Sequence, residues 1–478
     1  MKRLTLLKTL PILFVASLAS CGGGSHSGGL APKAGDKIYY ERILFDTSDE
    51  TASNPSIYLE AKDGVKEVKV GRETIKFGYS GGVLTLDAAA LRNAGPKELT
   101  ASVTMGNGKK TSIDIFNATK FIKTAEDFQA IGSSKKACEG YYVLANDIDC
   151  SSISNFEPIG QYFSEEDPDN FYFHGVLDGD GYAIKNVTCT YSHSPTGISG
   201  GGYASNYDVY SGSFGFTNDA HKAGDNIGIF QVIGSSGLVR NVTFDNCNVH
   251  GRTIVGIIAG NNMGHVYDCL IKENCQVKMD THFYDDDCNT GAAFGIVAGS
   301  GEAKNLISLT TRISLLDIYE DYGDVYKGKT GNGWDHSATE GNTDPWWRFA
   351  SATKEIPGTS TKITDSNNQK SNGIYSVVGK CWGQVQDSVG AAFSFMPNDG
   401  QGSQLINAAF GHTHQGINKP TSGDSDLGSI TNCAVYSANA LKQVSTYSAY
   451  NFSSEIWNIQ EGSFPALKEN INRFDIAK

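Results

Sequence analysis

A few places along this chain carry side chains whose type and spacing suit chemistry. Gly323 to Thr330 reads GDVYKGKT and satisfies the phosphate-loop pattern G-x-x-x-x-G-K-T. Such a loop holds phosphate only when a strand precedes it and a helix opens at the lysine. Here GNGWDH follows, a loop, so no nucleotide site is expected. Asp178 and Asp180 in LDGDG could pair as carboxylates or ligate calcium, but the same residues suit a tight bend. His412 and His414 in HTH could share a metal on one strand face, yet no third ligand lies nearby. Asp285 to Asp287 reads as a solvated acidic loop. The zincin H-E-x-x-H and the nucleophile elbow G-x-S-x-G are both missing. Aromatic residues are the stronger signal. Tyr319, Tyr322, Tyr326, Trp334, Trp346 and Trp347 crowd into one stretch, which holds three of the five tryptophans. Such rings either fold into a satellite cluster or form an amphipathic surface that stacks on sugars or anchors a protein.

Elements that could position these residues are short strands. The 478 residues include 55 glycines against 12 prolines and 10% aromatics, a composition of short strands and many tight turns. An all-β chain of this length needs two domains or one elongated repeat domain. A net charge of −13 and a pI near 5.2 argue against a basic footprint for nucleic acid. Acidic neighbours of the aromatic stretch make a neutral or cationic ligand easier to accept there than a strongly anionic polysaccharide. No motif implies a cofactor.

Residues 1–20 carry Lys2, Arg3 and Lys8 and then LPILFVASLAS, an apolar core too short to span a membrane but suited to a secretory leader. Leu18 to Cys21, LASC, resembles a bacterial lipobox, which implies cleavage before Cys21 and lipidation of its thiol. Residues 21–35 include GGGSHSGG, a flexible tether. The chain is thus expected to be exported and held in the envelope by lipid, at the outer membrane or cell surface. Nine cysteines remain, none in a CxxC pair, so zinc is not expected.

Residues 36–118 alternate apolar and polar in VKEVKV, ETIKFGY, VLTL, LTASVTM and TSIDIF, separated by KDG, GG, NAGP and GNGK turns. This layout predicts a small antiparallel sandwich and resembles bacterial immunoglobulin-like modules. TAEDFQAIG then predicts a helix near 124–131 with Thr124 as N-cap, able to cover the end of the domain behind it.

From 119 to 478 one phrase recurs. IKNVTC, VRNVTF, VYDCLI, AKNLIS, VQDSVG and ITNCAV share a small or aliphatic residue, any residue, Asn or Asp, then a small or aliphatic residue. A unit of this size cannot bury its own apolar face, so successive units must stack, as in a right-handed parallel β-helix. Asn186, Asn241, Asp268, Asn305, Asp387 and Asn432 are expected at one corner, one above another at about 4.8 Å. Gly256, Gly260, Gly295 and Gly299 are expected at neighbouring corners where a Cβ would clash. Cys247 and Cys275 fall at equivalent points of adjacent coils, within reach of a disulfide or of simple thiol packing. GIIAG and GIVAG resemble the GLUG-motif repeats of bacterial surface lipoproteins. FHGVLDGDGYAIKNVT and IWNIQEGSFPALK resemble the opening and closing segments of those domains. Insertions interrupt the repeats near 191–225, 316–374 and 397–427.

This resemblance implies an adhesin-like surface that recognises carbohydrate or host or matrix protein; the candidate contacts read from the residues themselves are Tyr319, Tyr322, Tyr326, Trp334, Trp346 and Trp347. The rival is a polysaccharide lyase or glycoside hydrolase on the same scaffold. It requires two carboxylates, or a cation beside clustered acids, to converge in a groove.

Overall fold

The computed structural model describes residues 30–32, 37–39, 42–160, 171–190, 226–251, 254–281, 289–317, 354–355, 362–363, 373–375, 377–391, 393–395, 404–406, 429–468 and 473–475. These residues are mostly strand with few helices, as an all-β chain requires. Two compact units divide them: 1–121 with 141–143 and 470–478, and 122–140 with 144–469.

The first unit has two five-stranded sheets. VKEVKV, VLTL, LTASVTM and TSIDIF all lie in strands. ETIKFGY differs: Glu73–Thr74 ends one sheet, Phe77–Ser80 ends the other, and the chain changes sheet between them. NAGP closes a helix that the turn signal hid: Asn93 and Ala94 are the last residues of Ala88–Ala94, Gly95 is its C-cap, and its first turn is capped by the Asp87 carboxylate accepting from Ala89 N. The sheets are not wholly antiparallel either. Lys37–Tyr39 runs parallel to Ser56–Tyr58, Arg42–Asp46 runs parallel to Lys110–Ala118, and Arg473–Asp475 joins from the far end of the chain. Those pairings are non-local and leave no mark in local alternation.

The second unit is built by return. Each pass of the chain lays down short strands that pair in parallel with the same strands of the next pass. Five lanes result. The first holds Val176–Asp178, Leu238–Arg240, His265–Tyr267 and Glu302–Lys304, followed by the start of Gln384–Ala391. The second holds Ile148–Asp149, Ala183–Lys185, Thr243–Asp245, Leu270–Ile271 and Ile307–Ser308. The third holds Thr188–Thr190, Asn248–Gly251, Gln276–Thr281 and Arg312–Asp317. The fourth starts at Asn226–Ile227 and the fifth at Phe230–Ile233. Leu177, Val239, Val266, Ala303 and Val385 form one continuous buried row in the first lane. Each Leu or Val of the row contributes about 1.5–3 kcal/mol when buried. No pass could bury them without its neighbours.

Between the first and second lanes the backbone turns through a left-handed residue. Asn241, Asp268, Asn305, Asp387 and Asn432 have φ between 48° and 56° and stack there. Asp268 N donates to Lys304 O at 3.0 Å and Asn305 N to Gln386 O at 3.2 Å, which holds the stack upright. Asn305 Nδ2 donates to Asp268 Oδ1 at 3.2 Å, and Asn432 Nδ2 donates to Asp387 Oδ1. Asn186 departs from the expected column. Register pairs Lys185 with Asp245, so Asn186 sits against Asn246 at the next corner, while Gly179 and Asp180 take the first-lane corner in that pass.

The glycine phrase also aligns differently. Ala259 pairs with Phe294, so Gly260 lies level with Gly295, and GAAFG rather than GIVAG is the counterpart of GIIAG. A Cβ on Gly260 would come 2.6 Å from the Ile227 nitrogen, and one on Gly295 2.6 Å from the Val255 nitrogen. Gly256 is similarly closed in, with Phe294 Cα at 2.5 Å. Gly299 has open space around it but φ of +59° in a two-residue insertion of that pass.

The helix Ala125–Gln129 starts at Thr124, whose Oγ1 accepts from Asp127 N at 3.2 Å. Phe128 stacks on Phe156 with ring centres 5.3 Å apart. At the other end residues 437–468 lie along the outer side of the second lane. Leu441, Tyr447, Trp457 and Leu467 cover Leu270, Ile307 and Val389, which face outward in register. The segment also holds the corner stack: Trp457 Nε1 donates to Asp268 Oδ1 at 2.9 Å and Asn451 Nδ2 to Asp387 Oδ2 at 2.9 Å.

Candidate ligand-binding face

In Asn248–Gly251 residues alternate between half-buried and buried, so Val249 points inward while Asn248 and His250 point out. Register repeats that choice on each pass. Thr188, Asn248, Gln276 and Arg312 form one outward file; Thr190, His250 and Lys278 form a second. The adjoining corner carries Asn186 and Asn246, both left-handed, and Asn274 beyond them. These amides are linked. Asn246 Nδ2 donates to Asn186 Oδ1 at 2.7 Å, and Asn186 Nδ2 donates to Asp149 Oδ1 at 2.9 Å. Asn274 Oδ1 accepts from Asn246 N at 3.1 Å, and its Nδ2 donates to Asp245 Oδ1 at 2.7 Å.

This corner opens into a groove of about 470 Å³ lined by Ser151, Ile153, Ser154, Asn186, Thr188, Asn246 and Asn248. Six of those seven side chains carry a hydroxyl or an uncharged amide. Among the described residues the Asn248 side-chain amide and the Thr188 hydroxyl have no protein partner, so both are available to a ligand. Neighbouring acids are held ionised: Asp149 lies below its usual range because Asn186 donates to it. Partial burial raises Asp245, but Lys272 and Asn274 outweigh it and the net shift is down. Arg312 closes the file. Its guanidinium donates to Asn274 O at 3.2 Å and to Gln276 Oε1 at 3.4 Å, both uncharged acceptors.

The outer side of the first lane gathers more ionisable groups but uses them on each other. Tyr267 OH donates to Glu302 Oε2 at 2.5 Å and lies 2.9 Å from His265 Nδ1; Lys304 Nζ pairs with the other Glu302 oxygen. Burial, and then Glu302, push the Tyr267 phenol well above its ordinary range. Partial burial raises Glu302, but Lys304 and Tyr267 bring it below its usual value. A phenol so hard to ionise and a carboxyl so hard to protonate suit a brace between passes better than acid–base work. A cavity of about 420 Å³ beside the helix contains two carboxylates, Glu126 and Glu157. Glu126 is lowered by its own backbone N–H and by Thr124, the opposite of what a glycosidase acid needs.

Cys21, Tyr319, Tyr322, Tyr326, Trp334, Trp346 and Trp347 lie outside the described residues, as do Gly323 to Thr330, Asp285 to Asp287, His412 and His414. Asp178 ends its strand and Asp180 turns the corner after it: Asp178 Oδ1 accepts from Asp180 N at 2.9 Å, Asp180 has φ of 49°, and Arg240 Nε pairs with Asp178 at 2.7 Å. Cys247 and Cys275 are buried thiols, with Cys275 Sγ accepting from Cys247 N at 3.4 Å. The third lane ends at Thr190 in one pass and at Asp317 in another, and the fourth lane resumes at Asn226 and Gly373. The face itself had a signal in the sequence. NCNV and NCQV place an amide on either side of each cysteine at strand spacing, and that spacing points the second amide outward.

No family model matches the chain, and no solved structure matches it. Halomucin of Haloquadratum walsbyi is 27% identical over 213 residues, 41% of this chain and 2% of that protein. The match therefore touches a small part of a far longer chain.

Proposed function

We propose that this chain is a lipid-anchored protein of a bacterial cell envelope. Cys21 carries the lipid and residues 22–35 are the tether. An immunoglobulin-like module then precedes a right-handed parallel β-helix of GLUG-type repeats, whose outer face binds carbohydrate in an adhesin-like manner. The observation that carries the binding reading is the outward file of hydroxyl and amide groups at Thr188, Asn248 and Gln276 beside the Asn-lined groove. Amides and hydroxyls in register every 4.8 Å or so can meet the hydroxyls of an extended sugar chain repeatedly, and each bond adds about 0.5–1.5 kcal/mol. The aromatic insertion holding Tyr319, Tyr322, Tyr326, Trp334, Trp346 and Trp347 supplies rings of the type that stack on sugars.

The enzymatic alternative has less support, because the groups that would act as acid or base in the first lane and at Glu126 are shifted the wrong way. Probing a glycan and matrix-protein array with the full chain tests the proposal. The Asn248→Ala/Gln276→Ala variant should lose roughly tenfold in affinity for any bound glycan, about 1.4 kcal/mol. Unchanged binding would remove the polar face from the site, and shortening of an arrayed glycan would revive the enzyme.

A further inference from the structure

The polar face is not uniform along its length. At the Asp149 end the amides are tied to a carboxylate, and the groove is lined by uncharged groups. Three strands further on, the same file ends in Arg312, with Lys278 one strand below in the neighbouring file. Among the described residues neither cation has a carboxylate partner. Other cations near this face do: Lys272 pairs with Asp245 at 2.8 Å, and Lys185 pairs with Asp147 at 2.5 Å. A guanidinium with no carboxylate partner among the described residues stands out in a chain of net charge −13. Asn274 O and Gln276 Oε1 each take one N–H, which fixes the guanidinium plane, and its remaining donors stay available for an anion.

From this asymmetry we infer that the face selects an acidic polysaccharide, one whose hydroxyls lie along Thr188, Asn248 and Gln276 while a carboxylate or sulfate reaches Arg312. The inference rests on the carbohydrate-binding reading above and adds the ligand's charge and its placement. Four strands at the usual inter-strand spacing put Thr188 and Arg312 about 14 Å apart, the reach of a few sugar residues. Charge complementarity names the anion, and a fixed guanidinium is the side chain best matched to a planar carboxylate or a sulfate edge. A protein partner fits less well, because the two outward files, His250 included, offer no aliphatic, Tyr or Trp anchor. A polynucleotide would need a longer basic file than these two cations supply.

The test titrates the full chain with polygalacturonate, carboxyl-reduced polygalacturonate, dextran sulfate, dextran and polyuridylate, at low and high salt. The wild type should bind an acidic polymer at least tenfold more tightly than its neutral counterpart, with the difference shrinking as salt screens it. Comparing the two acidic polymers assigns carboxylate or sulfate. Arg312→Gln should remove the preference and its salt dependence with a much smaller loss toward the neutral polymer, because Gln276 loses one hydrogen-bond partner, and Arg312→Lys should restore part of the preference. An unchanged melting temperature establishes that these variants are folded. Equal loss toward acidic and neutral polymers would make Arg312 structural and overturn the inference. Preference for neutral polymers would overturn it while the carbohydrate reading stood. Polyuridylate bound as well as the acidic sugars would reduce it to unselective anion attraction, and no binding to any polysaccharide probe would defeat both readings.

Discussion

Asp268 shows how one side chain can tie the corner stack to the segment that covers it. Burial raises its carboxyl above the ordinary range, even though Trp457 and Asn305 donate to it. A carboxyl raised by folding contributes stability below its unfolded-state pKa and loses that contribution as pH rises through the folded-state value. Asp268→Asn keeps the accepting oxygen and removes the charge. Its melting temperature should exceed the wild type's at neutral pH, and the gap should close as the pH falls into the carboxylate range; an offset constant with pH would refute burial as the cause. Trp457→Phe withdraws the indole donor and should cost about 1–3 kcal/mol in denaturant melts. The cysteines make a parallel point. Burial pushes Cys138, Cys150, Cys381 and Cys433 up to about 12, so iodoacetamide at mildly alkaline pH should spare these four until the protein is unfolded, as peptide mass mapping can show.

At the scale of the element, glycines that look alike in the sequence do different work. Gly260 and Gly295 lie level in adjacent passes and have no room for a Cβ, whereas Gly299 has room but a left-handed φ. Gly260→Ala should therefore cost about 1–3 kcal/mol through backbone displacement, and Gly299→Ala about 1 kcal/mol through strain. Matching losses at the two sites, measured by urea melts, would contradict that distinction. The repeat was legible because stacking demands apolar residues at fixed points of every pass. Its register was not, since GIIAG and GIVAG match as strings while a two-residue insertion displaces one against the other. Asn186 misled for the same reason: IKNVTC has the shape of VRNVTF but sits one corner later.

Across the whole second unit, the covering segment 437–468 decides which surfaces are free. It spends its apolar residues on the outward Leu270, Ile307 and Val389, while the third lane keeps its polar file clear of it. Leu441→Asp should lift the segment from that lane without altering the polar face. The exposed strip should then bind hydrophobic dye and promote self-association in light scattering. A variant that stays dye-negative and monodisperse would mean that Leu441 does not hold the segment down.

Composition and the recurring Asn or Asp phrase determined the all-β class and the stacking of successive passes, because both follow from local turn geometry and from apolar faces that no single pass can bury. The leader and tether proposed for residues 1–35 likewise rest on local signals. Tertiary structure alone decided which residues share a file, which glycines are crowded, and that Thr188, Asn248, Gln276 and Arg312 stand in line, although as many as sixty residues separate neighbours in that file. Lateral register is set by how far the chain travels before it returns, and insertions of different length erase that distance from the string while leaving the stacking contacts intact.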